Sequence, residues 1–270
     1  MSRTLMIQGC GSSVGKSLIT AAICRILVED GWRVAPFKAQ NMGSRSVVTP
    51  EGKEISAVQA LQAQATGVPP TPDMNPIFQK PITDTVAEVI VLGESMGAMT
   101  VQEYFHFKQT RGKTIVAHAL QRLRQQFDII VLEGAGSPAE VNLRQHDLVN
   151  MTAAALANAP VILVGDIDRG GVFAYITGTM LLLTEEERTR VKAVLINKFR
   201  GDLASLEPGL RMLEEKISRP VLGVIPHMDN LQIPVVAETI RSSISIEQLY
   251  HIIGLPVHGA RPVISDEMNT

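Results

Sequence analysis

A chain of 270 residues, 45% hydrophobic and 19% charged, is long enough for one large α/β domain or for one domain with an appendage. Its net charge of −2 gives no electrostatic reason to expect nucleic acid or a membrane surface as a partner. No apolar run approaches the roughly 18 residues of a membrane span, and Met1-Ser2-Arg3 leads into the first strand without a signal sequence, so a cytoplasmic protein with reduced Cys10 and Cys24 is expected.

Short β-branched runs alternate with longer amphipathic ones, the pattern of a parallel sheet flanked by helices. Thr4 to Gln8 is predicted as the first strand, and Lys16 to about Glu29 as a helix with Ile19, Ile23, Ile26 and Leu27 on its apolar face. Between them lies a glycine- and serine-rich turn that closes on Gly15-Lys16-Ser17. Glycines let backbone N–H groups converge on an anion, the helix offers its positive N-terminus, Lys16 can reach the β/γ-phosphates, and Ser17 can hold Mg²⁺. The usual G-x-x-x-x-G-K-[ST] spacing would need Gly at position 10; here Gly9 and Gly15 have five residues between them. The turn reads as a P-loop variant one residue longer than usual.

Arg33 to Phe37 is the second predicted strand, ending in the polar cluster Lys38-Ala39-Gln40-Asn41. Residues 43 to 52 read as a loop, and Lys53 to Thr66 as a helix whose Gln59, Gln62 and Gln64 form a solvated face. Asp73 to Pro81, with Pro69, Pro70, Pro72 and Pro76 in its neighbourhood, reads as irregular. Ala87 to Leu92 alternates as a strand, and Thr100 to Phe127 is a helix interrupted near Gly112, with Tyr104, Phe105 and Phe107 as core or lid packing. The continuous apolar run Asp128 to Leu132 ends in Glu133-Gly134-Ala135-Gly136. A carboxylate at the tip of a buried strand suits a Mg²⁺ ligand, with a helix-capping Glu as the alternative. Asp128, at the other end, reads as structural.

Pro160 to Val164, Val191 to Ile196 and Pro220 to Ile225 are further buried strands, ending at Asp166-Ile167-Asp168-Arg169, at Asn197-Lys198 and at Pro226. Polar residues at the carboxyl tips of parallel strands predict one site along that edge. Beyond Asn230 the rhythm fades: Ile244 to Ile253 reads as a helix, Gly254 to Pro262 as loop and Val263 to Thr270 as a fraying terminus.

Several stretches in order resemble the ATP-dependent synthetase domain of the cobyric acid synthase family, a relative of dethiobiotin synthetase. They are GCGSSVGKS, APFKAQNM, VVTPEGKEISAVQALQA, DMNPIFQKPITDT and VLEGAGSPAEVNLRQHDLVNM, followed by VILVGDIDRGGVFA, VLINKFRGD, PGLRMLEE and PVLGVIPH. The resemblance covers about residues 4 to 228. It implies an α/β, P-loop NTPase-type, mostly parallel sheet with helices on both faces over residues 1–230, and a partly helical or loop-like extension over 231–270.

The resemblance also implies ATP and Mg²⁺ as cofactors. Gly9, Gly11, Ser13, Val14, Gly15, Lys16, Ser17 and Leu18 match the phosphate loop, and Asn197 matches the position that recognises adenine in the dethiobiotin synthetase group. Ser17, Glu133 and Glu54 would complete the metal shell, while Lys16, Glu133, Lys38 and Asp147 match catalytic positions. Lys80, Asp84, Asp168 and Arg169 match positions near the substrate. Lys38 and Lys80 also fit plain solvated surface charges.

Members of the family phosphorylate a corrinoid side-chain carboxylate and displace the phosphate with ammonia. They continue into a glutaminase domain with a nucleophilic cysteine, whereas this sequence stops at 270. Ammonia from solution or a separate glutaminase subunit is therefore expected, and a homodimer is left open. Arg45, where the family has Asn, and Ile82-Thr83, where it favours Thr-Ser, keep another carboxylate or amine open as the acceptor. Partitioning-type switch ATPases carry an early P-loop lysine where this chain has Gln8-Gly9-Cys10, which favours a synthetase.

Overall fold

The computed structural model describes residues 2–256. The chain begins with β1 (Arg3–Gly9), α1 (Lys16–Glu29), β2 (Val34–Phe37), β3 (Gln40–Met42), β4 (Ser46–Val48), β5 (Glu54–Ser56) and α2 (Ala57–Ala65). It continues with β6 (Ile77–Pro81), β7 (Val86–Val91), β8 (Glu94–Thr100), α3 (Val101–Phe107), α4 (Lys113–Gln126), β9 (Ile129–Glu133) and α5 (Met151–Ala157). Then follow β10 (Val161–Asp166), α6 (Val172–Leu182), α7 (Glu185–Arg190), β11 (Val191–Phe199), α8 (Leu203–Ile217), β12 (Val221–Pro226), α9 (Ile233–Ser243) and α10 (Ile246–Ile253).

Six strands form one parallel sheet in the order β12-β11-β10-β1-β9-β2. Apolar side chains on both faces explain why its strands read as continuous apolar runs rather than alternating ones. Met6, Ile130, Leu132, Val161 and Leu163 face a core shared with α4, α5, α6 and α8. Their neighbours Leu5, Ile7, Ile129, Val131, Ile162 and Val164 face a second core built with α1, α9 and α10. Helices cover both faces, as the sequence pattern predicts.

The register sets the functional edge. β1 lies between β9 and β10, and Ile7 pairs with Glu133 and Gly9 with Val164, so the loop after β1 emerges between the tips of both neighbours. Phe37 pairs with Leu132, which brings Lys38 beside Glu133; Asp166 pairs with Asn197. Crevices of this kind, where the chain departs to opposite sides of a parallel sheet, are where such folds bind ligands.

Several local expectations are corrected. The segment 53–66 is not one helix: Glu54–Ser56 pairs antiparallel with Ser46–Val48, inside the stretch read as loop, and α2 starts only where Ser56 accepts a hydrogen bond from Val58 N. Gln59 and Gln62 are fully buried; only Gln64 of that supposed solvated face is exposed. The prolines confine irregular chain to the residues before Ile77, and Ile77–Pro81 is a strand of a second sheet ordered β3-β6-β7-β8. α9 is a missed helix that opens with Pro234 in its first turn and buries Val236, Ala237 and Ile240. The described residues of the expected extension, α9 and α10, thus help build the second core. The expected fraying terminus, Val263 to Thr270, and the end of the expected loop Gly254 to Pro262 lie outside the described residues. No helix among them is long and apolar enough to cross a membrane.

Candidate active site

The loop between β1 and α1 is shaped by close approach. A Cβ on Gly9 would lie 2.5 Å from Val14 Cγ2. Gly15 has φ +104°, a region that strains any side-chain-bearing residue, and a Cβ there would meet Asn197 Nδ2 at 2.2 Å. Within the same loop Ser13 adopts φ +61°.

Lys16 is buried, and its ammonium donates to Gly11 O (2.7 Å) and Gly136 O (2.9 Å), joining the phosphate loop to the loop after β9. Burial, only partly offset by nearby Glu133, pulls its pKa from 10.5 down to about 8; Lys38 pushes in the same direction. A bound polyphosphate would hold the proton on, so nucleotide affinity is expected to stay flat below about pH 8. Above it, affinity falls, by at most ~tenfold per pH unit, as free Lys16 loses its charge. Fluorescence titrations of a nucleotide between pH 7 and 9.5 test this: the fall should vanish in Lys16→Arg, and a flat wild-type curve would contradict it.

Glu133 is the hub of the site and is 1% exposed. Its Oε1 accepts from Ser17 Oγ (2.6 Å) and Lys38 Nζ (2.8 Å), and its Oε2 accepts from Gln62 Nε2 (2.6 Å). Gln62 also donates to Ser17 O (3.2 Å). Four elements converge here: α1 through Ser17, the tip of β2 through Lys38, α2 through Gln62 and the tip of β9 through Glu133. The capping alternative for Glu133 and the surface-charge alternative for Lys38 both fail, since the two form a buried ion pair.

Asn197, at the level of Asp166 on the neighbouring strand, donates from Nδ2 to Val14 O (2.8 Å). Its Oδ1 is buried without a partner among the described residues. It lines a cavity of about 450 Å³ with Ser13, Gly15, Lys16, Ser17, Leu18 and, opposite, His227 and Leu231. An orphaned acceptor beside a phosphate loop fits the exocyclic amine of a nucleotide base. Lys198 braces the loop by donating to Ser13 O (2.9 Å) and Asp166 Oδ2 (2.6 Å).

Ser17 and Glu133 offer a hydroxyl and a carboxylate, a hard oxygen pair that suits Mg²⁺. No group of three or more His, Cys, Asp or Glu among the described residues forms a metal cage. That sparse donor set suits an ion whose remaining ligands are water and phosphate.

Other expected site residues lie outside the Glu133 cluster. Asp147 is a cap: Oδ1 accepts from Val149 N and Asn150 N, and Oδ2 from Thr152 N, so it organises the start of α5. Glu54 ion-pairs with Lys80 (2.9 Å) and makes no hydrogen bond to Ser17 or Glu133. Lys80 also meets Glu88 (3.0 Å), so its charge is spent on these two carboxylates. The four expected substrate residues do not form one subsite. Asp84 is an exposed residue lining a separate apolar cavity, Asp168 lines the nucleotide cavity and meets Arg200, and Arg169 sits 3.6 Å from Asp166 in a third pocket beside Cys10.

Gln62 and Lys198 were missed. Gln62 lies within KEISAVQALQA, but a glutamine at helical spacing carries no signal that distinguishes a buried amide from a solvated one. Lys198 was visible only as the residue after Asn197.

A parallel sheet whose first strand runs through a Gly-Lys-Ser turn into a helix, with a carboxylate on the adjacent strand tip, defines a P-loop NTPase-type fold. The chain belongs to the CbiA family, described as the CobQ/CobB/MinD/ParA nucleotide binding domain, whose model matches residues 5–238. It is 58% identical over 222 residues to the cobyric acid synthase of Alkaliphilus metalliredigens, covering 82% of this chain and 44% of that protein. To the cobyric acid synthase of Caldanaerobacter subterraneus it is 55% identical over 229 residues, covering 85% and 45%. The chain thus spans less than half the length of these curated relatives. Among solved structures, the signal recognition particle receptor FtsY from Elizabethkingia anophelis superposes with a TM-score of 0.51 at 16% identity, over 90% of this chain and 65% of that one. FtsY from Physcomitrella patens chloroplast gives 0.50 at 15%, over 89% and 65%. These two share the fold alone.

Proposed function

We propose that this chain is the ATP-dependent synthetase part of a cobyric acid synthase-like amide ligase, acting on corrinoid side-chain carboxylates in cobalamin biosynthesis. The observation that carries the reading is the buried Ser17–Glu133–Lys38 cluster beside Lys16, within a sequence more than half identical to cobyric acid synthases.

Carboxylates are poor electrophiles, so one must be activated before nitrogen can attack. A carboxylate oxygen attacks the γ-phosphorus of ATP, the bond to the β–γ bridging oxygen breaks, and ADP departs. Ammonia then adds to the acyl carbon, loses a proton, and expels inorganic phosphate to leave the amide. Lys16 and the loop amides hold the phosphates and neutralise charge on the phosphoryl oxygens as it develops. Lys38 and Gln62 fix the Glu133 carboxylate, and through it Ser17, in one orientation. When bound, Mg²⁺ on Ser17 and Glu133 supplies further charge neutralisation at the phosphates. Asn197 reads the adenine.

Neither cysteine is suited to release ammonia from glutamine. Burial pushes the Cys10 thiol up to about 12 and holds the fully buried Cys24 higher still, so neither offers a thiolate. Ammonia would then reach the acyl phosphate from a source other than these two cysteines.

The test is to incubate the chain with ATP, Mg²⁺, an ammonium salt and cobyrinic acid a,c-diamide and to follow the corrinoid by mass spectrometry. Stepwise exchange of hydroxyl for amino groups is expected. An unchanged corrinoid, with no corrinoid-dependent ATP hydrolysis, would remove this acceptor.

A further inference from the structure

Two further cavities lie beyond the nucleotide cavity and the pocket beside Cys10. One, of about 260 Å³, has mixed polar and apolar walls and borders the phosphate loop through Ser12 and the loop after β9 through Gly136. The second, of about 480 Å³, lies over the β3-β6-β7-β8 sheet and has largely apolar walls that include Met42, Pro81, Val86, Met99, Val101 and Phe105. Gln40, Lys108 and Leu143 line both, so the two adjoin.

We propose that Lys108 and this apolar cavity form the seat of an amphipathic carboxylate ligand, its apolar body against the second sheet and its anionic arm at Lys108, directed towards the phosphate loop. The direction of the arm rests on the ligase reading; the cavity and its cation do not.

Lys108 opens a five-residue π-helical turn, Lys108–Gly112, between α3 and α4. Such turns recur at functional sites because they redirect one side chain out of the helical register. The turn can lie close to the Asp147 loop because Gly112 has no Cβ, which would sit 2.9 Å from Leu148 Cδ2. Lys108 makes one hydrogen bond among the described residues, from Nζ to His146 O (2.7 Å), out of the three an ammonium can donate. Its stem and charge rest over the rings of Tyr104 and Phe105, at 5.3 and 5.0 Å from the centroids. Burial lowers its pKa, with Asp147 opposing, as for a cation short of anionic partners.

A second polar group is left over at the same cavity. Tyr104 lines it and is 5% exposed, yet its hydroxyl has no partner among the described residues. A buried O–H without an acceptor is costly unless a ligand supplies one. The other charged residue of the lining, Asp84, is exposed to water and leaves Lys108 as the sheltered charge. A large apolar wall with one sheltered cation and one unsatisfied hydroxyl selects an amphipathic ligand that presents an anionic or carbonyl oxygen.

The probe is 8-anilinonaphthalene-1-sulfonate, an apolar ring system with one anionic group, titrated by fluorescence against the full chain. Lys108→Met and, independently, Met99→Asp are each expected to weaken its binding about tenfold. Lys108→Arg should retain it within about twofold, Leu181→Asp on the distant exposed face of α6 should leave it unchanged, and affinity for a fluorescent ATP analogue should be the same in all four variants. A wild type that does not bind the probe, or binding that survives both Lys108→Met and Met99→Asp, would overturn the assignment. Competition with cobyrinic acid a,c-diamide separates the two readings. Displacement joins the cavity to the ligase reaction, whereas the variant pattern without displacement keeps the cavity and removes the corrinoid as its occupant.

Discussion

Lys16→Ala is expected to abolish ATP-dependent amidation, by a factor of at least about 10²–10³, while the domain stays folded. The ammonium is the only side-chain cation that reaches both the phosphate loop, at Gly11 O, and the loop after β9, at Gly136 O, among the described residues. Charge that builds on the transferred phosphoryl oxygens between those loops would lose its nearest preorganised partner. Stability is not expected to follow activity down. Burial holds the folded-state pKa of Lys16 at about 8, below the ordinary 10.5, so the charged side chain costs the folded state and its removal relieves that cost. The sign follows from linkage: between about pH 8 and 10.5 the unfolded chain binds more protons, so wild-type stability gains from this group as pH rises. The variant should lack that increment. Turnover assays and denaturant unfolding on the same preparation check both parts, and retained turnover would take the P-loop out of the mechanism.

Lys38→Met is expected to act in the opposite way, through stability first. Its side chain and that of Glu133 are 8% and 1% exposed, and they meet at 2.8 Å. Removing the cation leaves a carboxylate buried with only neutral donors from Ser17 and Gln62. Breaking such a pair from one side costs about 3–5 kcal/mol, and the two surviving hydrogen bonds place this case near the lower end. The double variant Lys38→Met/Glu133→Gln removes the orphaned charge and should recover most of that loss in urea denaturation, without recovering activity. A single Lys38→Met variant as stable as wild type would show that Glu133 finds another counter-charge.

These two lysines also mark how far the sequence could be read. Lys16 was legible because a phosphate loop is local: strand, turn and helix follow one another within fifteen residues, and the glycines, lysine and serine must occur in that order. The six parallel strands were legible for a related reason, since burial on both faces writes each as a short continuous apolar run ending in polar residues. Of the small second sheet only β7 was legible, as the alternating run Ala87 to Leu92. β3 to β6 pair across proline-rich chain, and β8, with Gly97 and mostly exposed residues, carries little apolar pattern.

Glu133 announced itself as a carboxylate at a strand tip, but its partners did not. Lys38 lies 95 residues away and Gln62 lies 71 away, and only the parallel register of β2 with β9 and the packing of α2 on α1 bring them to it. For Asp147, Glu54 and Lys80 the same logic runs in reverse. Motif position suggested chemistry, and the folded surroundings supplied each with a local partner: three backbone amides for Asp147, and an ion pair for the other two.

By itself, then, the sequence determined the fold class, the phosphate loop and the strand tips that face it, because these depend on neighbours in the chain and on the apolar period. Which polar residues are buried, which charges are paired, and where an apolar cavity adjoins the phosphate loop were decided by tertiary structure alone. Those properties depend on contacts between segments tens of residues apart, whose energies leave no periodic trace in either segment.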